Sequence, residues 1–507
     1  MKGHSAAALG ALLVGVVHPV AANGVVQWDI RRSQRSQEFT KLRRRGSTFN
    51  EVISNDEARG GYFATCQIGT PGQNLTLQLD TGSSDIWVPD SKASVCRKFG
   101  NSGGCNLGAF DSAQSSSFEV VGKGEFDISY VDGSSSKGDY FTDVFSIGGA
   151  TLQNMTMGLG LETDISYGLV GVGYAVNEAI VGSSQSVSSA YPNLPVNMVN
   201  EGLINTVAYS LWLNDLDASS GSILFGGIDT KKYKGDLTRI QIYPATQDIF
   251  TSFKVALTSL EAISPSGQDT LTSTAFPIAV VLDSGTTLSY LPTDLAMQIW
   301  KEAGAEYSAH YGTAIIPCSM QNSQGYFSFG FAGPGGPRIN VTMDELVLDV
   351  STDGGPQFTS GQYKGETICE FGIQNISSSP YLLGDTFLRS AYVVYDLVNN
   401  EVGIAQTDFN STESNVVAFA SMSATIPSAT VAPSQAEVTN RPTVTVPAYA
   451  ASKGFTDLSA SGTAASTSAE QNAATPTPSR ASTGQMLVVS LTMLLTAVGS
   501  GLFVAIL

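Results

Sequence analysis

Histidine is almost missing from this sequence. Three occur in 507 residues, and His4 and His18 fall in the leader described below. That leaves His310, so a zinc site built from several histidines is excluded. A Ser–His–Asp or Cys–His centre would have to use that one ring. The stretch Gly100–Gly104 matches G-x-S-x-G formally, but it lies in a Gly-rich loop between two cysteines and not on a strand-to-helix elbow. Charge is scarce as well, at 14% of residues, and cations are scarcest, with 26 Lys/Arg against 44 Asp/Glu. Residues 1–45 hold eight of those cations and two of the acids. The remainder therefore carries 18 basic and 42 acidic side chains, a formal charge of −24. Such a surface repels phosphate and excludes nucleic acid as a partner. Low charge with 52 Gly also argues against a helical bundle and for a chain rich in strands and turns.

The ends differ from the middle. Met1–Ala22 combines Lys2, an apolar run from Ala6 to Val17 and the small-residue ending Val20-Ala21-Ala22, the pattern of a secretory signal peptide. Lys41-Leu42-Arg43-Arg44-Arg45 reads as a processing site cut after Arg45, making 23–45 a pro-segment and the protein a zymogen. Beyond residue 407 the composition turns to Ser, Thr, Ala and Pro. Residues 408–472 are expected to form a disordered, glycosylated stalk. The uncharged tail Met486–Leu507, the polar spacer 475–485 and the small residues Asn472-Ala473-Ala474 match a GPI-attachment signal. Segment 473–507 would then be removed and a lipid attached at Asn472, with Ser466 or Ser468 as alternative attachment residues and a retained transmembrane span as the other reading of the tail. Leader and anchor together place the chain on the outer face of the cell membrane or in the wall, as a monomer.

Secretion favours disulfides. Five cysteines leave the pairing open, but local pairing favours Cys96–Cys105 and Cys318–Cys369, with Cys66 a buried free thiol in an alternating strand, 62–68. N-x-S/T sites stand at Asn74, Asn154, Asn340, Asn375 and Asn410.

Between 60 and 407 short apolar runs alternate with turn residues. Leu75, Leu77 and Leu79 predict a strand, and Phe126, Ile128 and Tyr130 another, closed by an Asp132-Gly133 turn. Thr293–Ala303 predicts a helix capped by Thr293 and stopped by Gly304, and Pro195–Gly202 a weaker one. The informative feature is an internal repeat. Residues 77–89, LQLDTGSSDIWVP, align without gaps with residues 280–292, VVLDSGTTLSYLP. Leu169-Val170-Gly171 follows the first copy and Leu382-Leu383-Gly384 the second, with Gly171 91 residues after Asp80 and Gly384 101 after Asp283. Two related lobes are implied, 46–240 and 241–407.

Each copy places an Asp at the end of an apolar strand, before a Gly and a hydroxyl residue. Gly allows a tight turn whose N–H approaches the carboxylate. Ser83 and Thr286 stand where a hydroxyl can bond its outer oxygen. Two carboxylates brought together in a low dielectric cannot both ionise easily, so the pair holds one proton. A water between them then loses a proton to one while the other protonates a carbonyl oxygen. Neither metal nor cofactor is needed.

In these residues the chain resembles the pepsin-like aspartic protease family, and within it the fungal GPI-anchored, yapsin-like group. Asp80-Thr81-Gly82-Ser83 and Asp283-Ser284-Gly285-Thr286 match the family's two active-site motifs. The resemblance implies an all-β, bilobal fold with a cleft between the lobes, polypeptide substrates, and Asp80 and Asp283 as catalytic pair. Thr81 and Ser284 would cross-link the two loops, and the Leu169 and Leu382 segments would brace them. Ile128–Gly133 is similar to the substrate-covering flap, with Tyr130 bonded to Trp87. Val131 stands where many members have Gly. Asp132 at the flap tip would accept a Lys or Arg of the substrate. Residues 96–105 are short where yapsins often carry a long insertion, which argues against self-cleavage there. A silent protein of this fold would show damage to an Asp, Gly or hydroxyl of the two motifs, and every one is intact.

Overall fold

Alternating burial is what makes these segments strands. Leu75, Leu77 and Leu79 turn inward in the strand Gln73–Asp80, and Phe126 and Ile128 do so in Glu119–Ser129. The computed structural model describes residues 24–32, 61–97, 104–218, 220–350, 355–438, 447–452 and 454–455. The first half runs β1 (Val26–Arg32), β2 (Tyr62–Ile68), β3 (Gln73–Asp80), β4 (Ile86–Pro89), β5 (Glu119–Ser129), β6 (Ser135–Ile147), β7 (Ala150–Thr163) and β8 (Gly168–Gly171). Two short helices follow, α1 (Ala179–Ser184) and α2 (Leu194–Asn200), then β9 (Ala208–Trp212), β10 (Ser220–Phe225), β11 (Gly227–Asp229) and β12 (Tyr233–Gln241). The second half opens with β13 (Lys254–Ser264), β14 (Gly267–Leu271), β15 (Ile278–Leu282), β16 (Ser289–Pro292) and α3 (Thr293–Ala303). The protein is mostly β and has two lobes, as expected.

The repeat is visible as paired strands. β3 runs parallel to β8, with Leu77 opposite Gly168 and Asp80 opposite Gly171. β15 runs parallel to Tyr381–Leu383 in the same manner, with Leu282 opposite Leu383. β4 then returns antiparallel to β8, as β16 does to Tyr381–Leu383. The lobes share one long sheet. Strands Ala391–Asp396 and Glu401–Thr407, from the second half of the sequence, continue it between β9 and β12. A division at residue 240 is therefore not a clean cut in space. One apolar core runs through both lobes, from Val26 and Trp28 to Phe371 and Tyr395.

Both expected disulfides form, Cys96–Cys105 and Cys318–Cys369, and Cys66 is free and buried. The predicted α3 spans Thr293–Ala303 with Gly304 at φ 79° as its stop, but Pro292 occupies the cap and the Thr293 hydroxyl donates to Ile376 O instead. The weaker helix covers Leu194–Asn200, earlier than expected because Asn193 takes the cap position and Pro195 sits in the first turn.

Two segments near the ends are more ordered than their composition suggests. Val26–Arg32, within the expected pro-segment, is an internal strand of the uncut chain with Val26, Trp28 and Ile30 buried, which leaves its removal on processing an open expectation. The stalk expected from residue 408 does not begin there. Val416–Ala418 pairs with β11, Thr430–Val431 adds in parallel to β12, and Ala448–Tyr449 pairs with β14. Phe419, Ile426, Ala432, Val438 and Phe455 are buried. The Phe455 ring lies 4.9 Å from that of Phe327 and over Gly325, where any Cβ would meet the ring at 2.3 Å. Asp269 Oδ1 accepts from Ala450 N at 2.5 Å and Ala451 N at 2.7 Å. Scattered apolar residues suffice here because each fills a pocket offered by a finished lobe. The leader, residues 33–60, residues 98–103 of the Cys96–Cys105 loop, Asn472 and the apolar tail lie outside the described residues. Among the described residues no helix is long and apolar enough to cross a membrane.

Removing this strap is expected to destabilise the enzyme. Phe455→Ala should lower stability by about 3 kcal/mol, the usual cost of truncating a buried Phe. Ending the chain after Asp408 should lower the melting temperature further. Unchanged melting of both variants, followed by calorimetry, would show that the strap only rests on the surface.

Candidate active site

The centre of the molecule is made by the turns that follow β3 and β15. Thr81 and Ser284 cross between them, each clamping the other's loop. Thr81 Oγ1 accepts from Ser284 N at 2.9 Å and donates to Leu282 O at 3.0 Å. Ser284 Oγ accepts from Thr81 N at 3.2 Å and donates to Leu79 O at 3.1 Å. Serine in place of threonine keeps all of this, since only the hydroxyl is used. Gln78 Nε2 adds a bond to Gly285 O at 3.1 Å, and Asn177 Nδ2 donates to Gly82 O.

That interlock brings the two carboxylates together with no exposed surface on either. Asp80 Oδ1 accepts from Gly82 N at 2.8 Å and its Oδ2 from the Ser83 hydroxyl. Asp283 Oδ1 accepts from Gly285 N at 2.8 Å and its Oδ2 from Thr286 Oγ1 at 2.7 Å. The glycines are required by space and not by backbone angle. A Cβ on Gly82 would stand 2.6 Å from Asp283 Oδ1, and one on Gly285 2.3 Å from Asp80 Oδ1. Each loop therefore presses its glycine against the other loop's carboxylate. Burial pushes both carboxyls above the ordinary range. For Asp80 the charge of Asp283 adds to this, and the hydroxyl and N–H donors oppose it for both. The arrangement holds a proton between two acids at a pH where free carboxyls have lost theirs.

β5 and β6 form a hairpin whose tip carries Tyr130 and Asp132. Tyr130 N donates to Ser134 O, Gly133 N to Tyr130 O, and Gly133 takes φ 84°. Trp87 Nε1 donates to Tyr130 Oη at 2.7 Å, and both side chains are buried. Burial, then the charge of Asp80, raises the Tyr130 hydroxyl well above its ordinary value. Asp132 is half-buried at the tip, and its Oδ1 accepts from Ser134 N at 2.9 Å and Ser134 Oγ at 2.6 Å. Val131 packs on the aromatic cluster around Trp87 and Phe126. It also packs on an apolar wall of Leu288, Tyr290 and Leu382 from the other lobe. A glycine would make neither contact.

Several residues escaped the sequence reading. Asp85 is fully buried, accepting from Tyr140 Oη at 3.0 Å, Tyr191 Oη at 2.8 Å and Ala179 N at 2.8 Å. Glu178, equally buried, accepts from Tyr191 N through Oε2. Its Oε1 has no hydrogen-bond partner among the described residues. Burial, then the charge of Asp85, pushes Glu178 up to about 10. Behind the second loop, Asp385 is buried with both oxygens unbonded among the described residues. Arg389 nearby bonds Glu345 through Nε and its carbonyl through Nη2 at 2.6 Å. A signal for Asp85 and Asp385 existed where the repeat breaks. Asp85 aligns with Leu288, and Asp385 follows its Leu-Leu-Gly where Val172 follows the other.

His310 is exposed, edge-on to Tyr311, in a turn after α3. Among the N-x-S/T sites, Asn74, Asn154, Asn340 and Asn410 are exposed and Asn375 is half-buried with Nδ2 donating to Thr293 Oγ1.

These buried acids set the direction of the pH dependence. Asp80, Asp85, Glu178, Asp283 and Asp385 all have folded values above their unfolded ones. The native state therefore keeps protons that the unfolded chain releases above about pH 4, and stability falls as pH rises from there. Melting temperature should be highest near pH 4 and fall steadily to pH 8. Glu178→Gln, which cannot ionise, should raise melting at pH 8 relative to the parent and leave it nearly unchanged at pH 4. Equal melting of the parent at both values would contradict this.

Comparison with known proteins agrees with the geometry. Residues 61–407 match the family model described as eukaryotic aspartyl protease. A protein named probable aspartic-type endopeptidase opsB, from Aspergillus fumigatus, is 41% identical over 82% of this chain and 82% of its own length. Aspartic proteinase yapsin-3 of Saccharomyces cerevisiae is 33% identical over 76% of this chain and 72% of its own. Barrierpepsin from the same yeast is 32% identical over 74% and 65%. The chain belongs to the pepsin-like family of eukaryotic aspartic endopeptidases and hydrolyses peptide bonds in polypeptide substrates.

Proposed function

We propose that Asp80 and Asp283 are the catalytic pair, and that the enzyme works at acidic pH on the outer face of the cell, accepting a basic residue beside the cleaved bond. The observation that carries the first part is the position of the two buried carboxylates at one point, each held by its own glycine N–H and hydroxyl. Between them they retain a proton. One carboxylate takes a proton from water as it attacks the scissile carbonyl, and the other protonates the carbonyl oxygen. The pair titrates as a unit, so neither residue owns one role. Gly82, Gly285, Ser83 and Thr286 fix the carboxylates, Thr81 and Ser284 fix the loops, and Tyr130, tied to Trp87, covers the substrate. The tight loops mean that little rearrangement is needed as charge develops.

The acidic working range follows from the retained proton and from the mature surface. With few cations, that surface gathers little positive repulsion when its carboxylates protonate. Export rests on the leader at 1–22. Surface attachment rests on the GPI pattern at Asn472 and the tail 473–507, and zymogen processing on the basic cluster ending at Arg45. Protein processing or wall maintenance at the cell surface suits such an enzyme. Acceptance of Lys or Arg rests on Asp132, a carboxylate at the tip of the β5–β6 hairpin.

Hydrolysis of a denatured protein at pH 4 should be blocked by pepstatin and should fall about 10³-fold or more in Asp80→Asn, with His310→Ala fully active. Full activity of Asp80→Asn would end this reading. The role of Asp132 separates into turn and charge. Asp132→Asn keeps an acceptor for Ser134 and removes the charge, so cleavage beside Lys should fall about tenfold, the loss expected of one charged hydrogen bond. Cleavage between apolar residues should persist. If both fall together on a peptide library, Asp132 serves the turn alone.

A further inference from the structure

A second pair of buried acids lies away from the catalytic centre, under the end of the strap. Asp269 stands on β14 and Glu302 in the last turn of α3, with 4% and 5% of their surface exposed. Their carboxyls are in hydrogen-bonding contact with each other. Both residues also hold the strap where it finishes. Asp269 Oδ1 accepts from the amides of Ala450 and Ala451, and Glu302 O accepts from Phe455 N at 2.9 Å. A Cβ on Gly454 would stand 2.9 Å from Glu302 O and 3.5 Å from Glu302 Oε2, so the strap lies directly on this residue. Around the pair the strap is fixed by Ala448–Tyr449 on β14, by Ser323 Oγ donating to Phe455 O at 3.1 Å and by the Phe455 ring against Phe327.

Two buried carboxyls stay in contact at little cost only while one of them carries a proton. One then donates to the other, and the Asp269 oxygen that faces the strap accepts its two amides. The charged groups that face Glu302 are Asp269 from β14 and Lys301 from its own helix. The Lys301 ammonium lies 4.1 Å from the centre of the Tyr449 ring, and one cation does not neutralise two carboxylates. The strap brings no other, since residues 447–452 and 454–455 contain no charged side chain. Burial, then the charge of Asp269, raises Glu302 above the ordinary glutamate range, and Lys301 opposes this. The docked strap therefore keeps a proton on the pair that the undocked form, with both acids hydrated, releases. Docking is complete in acid and weakens as pH rises through the raised value. Loss of the proton sets two like charges against each other. β14 is laddered to β13 along five residues, and α3 buries Leu295, Ile299 and Trp300. The element free to yield is the strap.

We propose that Asp269 and Glu302 form a pH-sensitive clasp, which holds the end of the strap in acid and releases it as the medium approaches neutrality. The clasp acts on the strap and not on the carboxylates at the centre, so its state is read without substrate.

The test uses the full chain carrying Asp80→Asn, which prevents self-digestion, and measures hydrogen-exchange protection factors by mass spectrometry. Segment 447–455 is compared with β13, a strand of the same lobe, so that any loss of global stability cancels. A one-proton clasp changes its docking constant by up to about tenfold per pH unit, so from pH 4.5 to pH 8 the protection of 447–455 should fall about tenfold or more beyond that of β13. Glu302→Gln keeps a donor for Asp269 and cannot ionise, and it should retain its pH 4.5 protection at pH 8. Glu178→Gln, which removes a buried acid elsewhere, should respond as the parent does. Equal protection of 447–455 relative to β13 at both pH values in the parent overturns the proposal, and this arm needs no substitution at the clasp. A Glu302→Gln protein that releases the segment at pH 8 as readily as the parent also overturns it. Self-digestion of the Asp80→Asn chain would bear on the catalytic assignment alone.

Discussion

The structure depends on one reciprocal contact, the crossed hydroxyls of Thr81 and Ser284. Each side chain bonds both the amide of the other and the carbonyl at the end of the opposing strand. Four bonds between two turns leave neither loop free to move without the other. This rigidity is needed because the contact it enforces is unfavourable. Two carboxyls are held without exposure, each against the other loop's glycine. Left alone, the loops would separate and hydrate their charges. The interlock, the bracing strands at Leu169 and Leu382 and the burial of Tyr395 and Phe253 beneath them resist that separation.

The same logic extends outward. Asp85 and Glu178 behind the first loop, and Asp385 with the Arg389–Glu345 pair behind the second, are buried polar groups placed on supporting elements. Asp85, Glu178 and Asp385 cost least when protonated, so burial of these acids favours the fold at low pH. Asp85 ties Tyr140 of the flap strand, Tyr191 and the start of α1 to a strand five residues past Asp80. The β5–β6 hairpin is thereby anchored by hydrogen bonds at its base and by Val131 at its tip. A hairpin pinned at both ends needs little further ordering when a partner binds beside it.

The catalytic half of this organisation was legible in the sequence because it is duplicated. Two gap-free copies, two bracing segments and one Tyr-containing hairpin define a constellation that a single Asp-Thr-Gly does not. The disulfides followed from proximity along the chain. What stayed hidden depends on tertiary context. Glu178 announces itself through nothing local, since its burial comes from Tyr191 and Asp85. Residues 416–455 have the composition of a solvated tail, yet Phe419, Ile426, Val438 and Phe455 each find a prepared pocket. Apolar periodicity measures whether a segment can build a core, and it is silent on whether a segment can complete one. Val26-Gln27-Trp28-Asp29-Ile30 alternates, and that pattern is the local signal for the strand found there.

The strap and β1 together change how the lobes should be understood. Strands 391–396 and 401–407 from the second lobe, β9 and β10 from the first and β1 from the start of the chain form one continuous run of the large sheet. The strap closes the outer face of that run against β11 and β12 and ends on the far side of α3, where Phe455 N bonds Glu302 O. The base of the molecule is thus a single bonded layer, and the two loops rise from its two sides. Relative motion of the lobes would have to shear this layer. A strand lost from this run would break bonds to both lobes at once, so the layer couples the stability of one lobe to that of the other.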